Sequence, residues 1–79
     1  MSKIELFGTK SCLFTAEVRG DLEWRKVEFV EYDVEEDSEA FARMLSICPG
    51  NRVVPILVED GKVVMIGWQG RGCVVGELK

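Results

Sequence analysis

One cysteine lies where a reactive thiol is expected, between a strand-like and a helix-like segment. Cys12 follows the apolar run of residues 3–7 and a short polar loop, and it precedes an amphipathic run that begins at Leu13. A thiol at a helix N-terminus lies near unpaired backbone amides and the positive end of the helix dipole, which lower its pKa. The position therefore predicts a partly exposed, reactive thiolate.

Two further residues suit the same chemistry. Thr15 follows Cys12 by one helical turn, so its hydroxyl either donates to the Cys12 thiolate or belongs to an ordinary first helical turn. Pro55 begins a second apolar run, where a proline is uncommon because it cannot donate to a sheet. We interpret Cys12 and Thr15 as candidate catalytic residues and Pro55 as a proline at the entry to a strand.

The remaining cysteines and the absence of histidine restrict the chemistry. The chain has three cysteines, no Cys-x-x-Cys motif and no histidine. An odd number of widely spaced cysteines argues against a disulfide scaffold. Without histidine, a structural zinc site is not expected and a Cys–His catalytic pair is excluded. Cys48 completes an apolar helical face, so packing in the core is predicted for it.

Length and charge favour one small acidic domain. The 79 residues predict a single domain, 1–79, and the net charge of −4 disfavours nucleic-acid and anionic-membrane binding. The N-terminus leads directly into a folded-looking segment without a leader or membrane-length apolar run, so a cytoplasmic monomer is expected. The acidic stretch 28–39 is either a solvated surface or a docking patch.

Hydrophobic periodicity predicts an α/β order of strand, helix, strand, helix and hairpin. The predicted elements are a strand at 3–7, a helix at 13–25 capped by Ser11, a strand at 27–34, a helix at 38–47 capped by Ser38, and strands at 55–58 and 63–66 joined by Asp60-Gly61. The glycine-rich tail from residue 67 is predicted as a loop with a short final helix at best. A parallel crossover unit followed by a hairpin gives a mixed four-stranded sheet flanked by helices.

In this order of elements and motifs the chain resembles a glutaredoxin of the thioredoxin-like superfamily. Arg52-Val53-Val54-Pro55 is similar to the family's Arg-Thr-Val-Pro. Cys12-Leu13-Phe14-Thr15 stands where the family has Cys-Pro-Tyr-Cys and is closer to the monothiol Cys-Gly-Phe-Ser type. With its Gly-Trp-Gln-Gly-Arg-Gly tail, the chain also resembles a small glutaredoxin-like group in which selenocysteine often replaces the nucleophile.

The resemblance implies a site for glutathione. It implies a cis Pro55 and a Val54 backbone that pairs with the cysteine moiety of the substrate. Arg52 and Lys10 would contact the glycyl carboxylate, and Gly67 would belong to the γ-glutamyl element. The implied substrate-binding residues are Lys10, Phe14, Arg52, Val54, Pro55 and Gly67. In this fold the tail returns towards the nucleophile, so Cys73 is a possible resolving cysteine.

The leading hypothesis is a thiol–disulfide oxidoreductase with one nucleophile, Cys12, acting on glutathione mixed disulfides or disulfide-bonded proteins. A second glutathione or Cys73 would clear the mixed disulfide on Cys12. One alternative is an iron–sulfur cluster carrier, in which two subunits and two glutathiones supply the thiolates. The other is a non-catalytic binding module that uses the acidic stretch 28–39.

Overall fold

A mixed sheet with a separate two-stranded ribbon forms the framework of the molecule. The structure, a computed structural model, describes residues 3–75. Its elements are β1 Ile4–Gly8, α1 Leu13–Trp24, β2 Val30–Asp33, α2 Ser38–Ile47, β3 Val53–Val54, β4 Ile56–Glu59, β5 Lys62–Ile66 and β6 Cys73–Val74. Within these residues the sheet has the order β2-β1-β4-β5, and β3 pairs with β6.

The strand directions confirm the predicted fold class. β1 is parallel to β2 and antiparallel to β4, and β4 is antiparallel to β5. The turn between β4 and β5 contains Asp60 and Gly61, both with positive φ, as the Asp-Gly pair predicts. The result is the expected mixed four-stranded sheet with helices packed on it.

Alternation along β1 separates the core into two clusters. Phe7 belongs to one cluster together with Met44 of α2, and Leu6 belongs to the other together with Val18 of α1. Because successive side chains of a strand point to opposite faces, the two helices cover opposite faces of the sheet. No helix within residues 3–75 has the length and apolar character needed to cross a membrane.

Three predicted boundaries were wrong, each for a local reason. The N-cap of α1 is Cys12 rather than Ser11, and the N-cap of α2 is Asp37 rather than Ser38. Asp37 Oδ1 accepts from the backbone amides of residues 39 and 40 at 3.0 and 3.2 Å, and its negative charge lies at the positive end of the helix dipole. β2 is shorter than 27–34 because residues 27 and 29 pack against the α1 cluster instead of pairing with β1.

The tail also differs from its prediction as a loop. Residues 73 and 74 form β6, which pairs with β3 in the register Val54↔Cys73 and Val53↔Val74. Two-residue strands carry no measurable periodicity, so the sequence pattern does not reveal them. The end of the tail, residues 76–79, lies outside the described residues, so a short final helix there stays a prediction.

A buried carboxylate ties α2 to the sheet. Glu5 is 1% exposed, and its carboxylate accepts two hydrogen bonds from the Arg43 guanidinium and one from Tyr32 Oη at 3.2 Å. These hydrogen bonds from Arg43 hold the pKa of Glu5 below its ordinary value, against the opposing effect of burial. Burial raises the pKa of Tyr32, and the hydrogen bond to the Glu5 carboxylate raises it further. The lowered pKa means that the folded protein favours the ionised form of the Glu5 carboxylate.

We expect Arg43→Ala to lower the free energy of unfolding by about 2 kcal/mol, because the buried Glu5 carboxylate loses both hydrogen bonds from the guanidinium and keeps only Lys3 Nζ, at 3.9 Å, as a cationic neighbour. Arg25→Ala removes an exposed i,i+4 pair with Asp21 and should cost no more than about 0.5 kcal/mol. Urea unfolding of the oxidised proteins measures both.

The stabilisation by the Glu5–Arg43 pair should depend on pH. The pKa of Glu5 is lower in the folded protein than in the unfolded chain. The stabilisation by the Glu5–Arg43 pair is therefore complete above the unfolded pKa, near 4.5, and is lost as pH falls through the folded pKa. The difference between wild type and Arg43→Ala should therefore shrink in acid. A difference that is absent at neutral pH would contradict a stabilising role for the pair.

Candidate active site

Cys12 is the N-cap of α1 and faces the bend that precedes β4. Its carbonyl accepts the first helical hydrogen bond from the amide of Ala16 at 3.2 Å, and the first turn of α1 contains no acidic residue. Its Sγ lies 4.0 Å from the carbonyl oxygen of Val54. The sulfur therefore lies at the amide end of a helix without a nearby negative side chain in that turn, which suits a thiolate.

The structure bonds Cys12 to Cys73. The two residues form a disulfide with a Cα–Cα distance of 6.0 Å, although 61 positions separate them in the sequence. Cys12 is only 2% exposed, so the expectation of a partly exposed thiol was wrong for this form. The reason is β6, which brings Cys73 onto Cys12. Cys48, in contrast, carries a free thiol and is half-buried at the C-cap of α2.

Pro55 and the two valines before it form the wall against which β6 lies. The Val54–Pro55 peptide bond is cis, and Val54 and Pro55 are buried. β6 pairs with this wall so that Cys73 lies opposite Val54. The amide of Val75 donates to the carbonyl of Arg52 at 2.7 Å, which extends the pairing by one residue.

Gly72 permits the close approach of the two backbones. A Cβ on Gly72 would lie 2.5 Å from the Val54 carbonyl oxygen and 2.6 Å from Val53 Cγ1. Real Cβ atoms do not approach other atoms so closely, so this contact requires glycine. The glycine immediately before Cys73 is therefore part of the site.

Thr15 lies inside the helix–sheet interface. It is fully buried, and its Oγ1 has no hydrogen-bond partner among the described residues. A Cβ on Gly8 would lie 2.2 Å from Thr15 Cγ2, so α1 approaches β1 closely at this position. The predicted bond from Thr15 to Cys12 is not formed in the disulfide form, and its role towards a thiolate stays a prediction.

The two basic residues predicted to contact glutathione are exposed. Lys10 Nζ bonds Glu36 at 3.0 Å, and this bond raises the pKa of the Lys10 ammonium. The Arg52 guanidinium lies 5.9 Å from the centroid of the Phe41 ring, within range of a cation–π contact. Lys10 therefore already has an anionic partner, which a carboxylate ligand would have to displace.

Phe14 and Gly67 have different surroundings. Phe14 is half-buried against the cluster that contains Cys12 and Val54. Gly67 has a positive φ, donates to the Pro55 carbonyl at 2.7 Å, and approaches the backbone of Arg71 too closely for a Cβ. Gly67 thus supports the turn that leads into β6, whereas Trp68 packs against the α1 cluster.

Comparisons with known proteins agree with this geometry. A family model described as Glutaredoxin matches residues 4–64. The probable glutaredoxin slr1562 of Synechocystis sp. (strain ATCC 27184 / PCC 6803 / Kazusa) is 33% identical over 60 residues, which are 75% of this chain and 55% of the relative. The chain therefore spans about half the length of that curated relative. The crystal structure of a mutant of the thioredoxin-like protein BC3987 matches with a TM-score of 0.76 and 33% identity, covering 87% of this chain and 86% of the other.

The sheet order, the flanking helices and this neighbour define a thioredoxin-like fold. Within that class, the chain belongs to the glutaredoxin family. The fold and the family predicted from the sequence are thus confirmed, and both are consistent with a thiol oxidoreductase.

The pairing of β6 with β3 was not predicted from the sequence. Cys73 was identified as a possible resolving residue, but Gly72 and Val75 were not identified as parts of the site. A usable signal was present, because a glycine directly before a cysteine allows a backbone to approach another strand closely.

We expect Thr15→Val to affect stability in the oxidised form and the reactivity of Cys12 in the reduced form. In the oxidised form it removes an unpaired buried hydroxyl without changing the shape, so stability should stay equal or rise by up to about 1 kcal/mol. In the reduced form it should slow iodoacetamide alkylation of Cys12 severalfold, if the hydroxyl donates to the thiolate. Thr15→Ser, which keeps the hydroxyl, is the matched variant. Equal alkylation rates in all three proteins would assign Thr15 to packing alone.

Proposed function

We propose that this protein is a thiol–disulfide oxidoreductase in which Cys12 is the nucleophile and Cys73 is the resolving cysteine. The observation that carries the proposal is the bond between these two residues at the N-terminus of α1. A nucleophile and a second thiol that reach each other inside a thioredoxin-like fold are the two groups that the protein needs to reduce a substrate disulfide without a second external thiol. The pairing supports a two-cysteine route in place of the monothiol route expected from the missing Cys-x-x-Cys.

The proposed reaction has two exchange steps. The Cys12 thiolate attacks one sulfur of a substrate disulfide, a Cys12–substrate bond forms, and the other substrate sulfur leaves as a thiolate that takes up a proton. The Cys73 thiolate then attacks Cys12 Sγ, and the second substrate sulfur leaves in the same way. The substrate disulfide is reduced to two thiols, and the Cys12 and Cys73 thiols are oxidised to the disulfide.

Glutathione enters the proposal as the co-substrate. One glutathione thiolate opens the Cys12–Cys73 disulfide and forms a mixed disulfide with the enzyme. A second glutathione releases the first as oxidised glutathione and restores both thiols. Glutathionylated or disulfide-bonded proteins are the proposed substrates, and the cytoplasm is the proposed location because it supplies reduced glutathione. Lys10, Arg52 and Gly67 remain the proposed glutathione contacts.

Three cysteine variants test the proposal. Cys12→Ser should abolish turnover of a disulfide substrate coupled to glutathione, because it removes the attacking sulfur. Cys73→Ser should retain the first step and accumulate a mixed disulfide with the substrate, because the internal second step is lost. Mass spectrometry of the protein quenched by acid detects this adduct.

Cys48→Ser is the matched control, since Cys48 lies outside the disulfide. It should retain wild-type turnover and accumulate no adduct. Unchanged turnover in Cys12→Ser would overturn the proposal. Rapid turnover in Cys73→Ser without an adduct would retain the nucleophile and remove the resolving role of Cys73.

A further inference from the structure

The segment between β5 and Cys73 contains an ordered turn. The amide of Trp68 donates to the Arg71 carbonyl at 2.6 Å, and the amide of Arg71 donates to the Trp68 carbonyl at 3.0 Å. Gln69 and Gly70 lie between them with φ values of 53° and 80°. Positive φ at both central residues is characteristic of a type I′ turn, which joins antiparallel strands through two residues. The chain before Cys73 is therefore a folded hairpin and not a loose tail.

This turn is attached to parts of the molecule other than the disulfide. Directly before it, the amide of Gly67 donates to the Pro55 carbonyl at 2.7 Å. The Trp68 side chain packs against the α1 cluster. These contacts, like the two hydrogen bonds of the turn, involve neither the sulfur of Cys12 nor that of Cys73. They therefore remain available when the disulfide is reduced.

We propose that residues 67–72 form a preformed arm, which holds Cys73 beside Cys12 in the reduced protein as well as in the disulfide form. This rests on the proposed function, since it concerns how the resolving cysteine is presented to the nucleophile. Trp68 is the positioning residue that attaches the arm to the α1 cluster. Gln69 is the positioning residue whose backbone conformation closes the turn.

The arm affects the chemistry through the effective concentration of the Cys73 thiol. An unstructured segment in place of the arm would sample many conformations, and few of them would bring Cys73 to Cys12. In the folded arm that conformational freedom is already lost before the two sulfurs meet. Formation of the Cys12–Cys73 bond therefore costs little further chain entropy, and the internal thiol competes well with glutathione from solution.

Gln69 allows the arm to be opened without changing either cysteine. Residues other than glycine and asparagine rarely adopt a positive φ, so the turn holds the Gln69 backbone in this conformation. Proline fixes φ at about −65° and cannot adopt it. Proline also restricts the residue before it to an extended conformation, which suits Trp68 in its β-bridge with Arg71. Gln69→Pro therefore opens the turn at one dihedral angle.

Gln69→Asn is the matched control. Asparagine adopts positive φ readily, and Asn-Gly is the preferred pair at the centre of a type I′ turn. Gln69→Asn therefore keeps the arm closed while it also changes the Gln69 side chain.

The experiment equilibrates the full chain with buffers of different ratios of reduced to oxidised glutathione. The disulfide bond of one oxidised glutathione breaks, the Cys12–Cys73 bond forms, and the two glutathione sulfurs take up the protons of the two protein thiols. Mass spectrometry after acid quench gives the fraction of disulfide and hence the equilibrium constant. A loss of stability that is common to both redox forms cancels in this constant, so the constant reports the positioning of Cys73.

Gln69→Pro should lower the equilibrium constant by about tenfold or more, because the Cys73 thiol is no longer held in place. Gln69→Asn should match wild type to within about twofold, because its turn is still closed. An unchanged constant in Gln69→Pro would overturn the inference.

Hydrogen–deuterium exchange of the reduced wild type tests the arm without any substitution, and it decides the question if Gln69→Pro does not fold. The amides of Gly67, Trp68 and Arg71 should stay as protected after reduction as they are in the disulfide form. Loss of this protection on reduction would overturn the arm alone. Absence of a Cys12–Cys73 disulfide from the wild type at every glutathione ratio would instead overturn the proposed function.

Discussion

The pairing of β6 with β3 is the interaction on which the site depends. Two residues of each strand face one another, and the pairing continues through the hydrogen bond from Val75 to Arg52. So short a ribbon is marginal by itself. The Cys12–Cys73 disulfide and burial of Val75 hold it in place. In this disulfide form the edge of β3 is covered by β6.

The remainder of the fold holds the other half of the site rigid. α1 approaches β1 so closely at Thr15 that Gly8 has no room for a side chain, and this contact fixes the start of α1 where Cys12 lies. On the opposite face, the ion pair between Glu5 and Arg43 attaches α2 to the same sheet. Cys12 is thus held at the start of a helix packed on the main sheet, whereas β6 is held by its short pairing with β3, the buried Val75 and the disulfide.

Long elements could be predicted from the sequence, and two-residue strands could not. Hydrophobic periodicity predicted β1, both helices and the β4–β5 hairpin, since each repeats its pattern over several residues. It failed for β6, whose two residues form a strand only because β3 lies beside them. The nucleophile position was recognisable at the start of α1. Its burial was not, since a residue 61 positions away covers it.

The central claim is that Cys12 and Cys73 form a specific pair. The most direct test is peptide mapping of the air-oxidised protein after alkylation of free thiols under acid quench. We expect a peptide cross-linked through Cys12 and Cys73, with Cys48 recovered in alkylated form. A Cys12–Cys48 cross-link, or Cys12 and Cys73 both recovered as alkylated thiols, would contradict it.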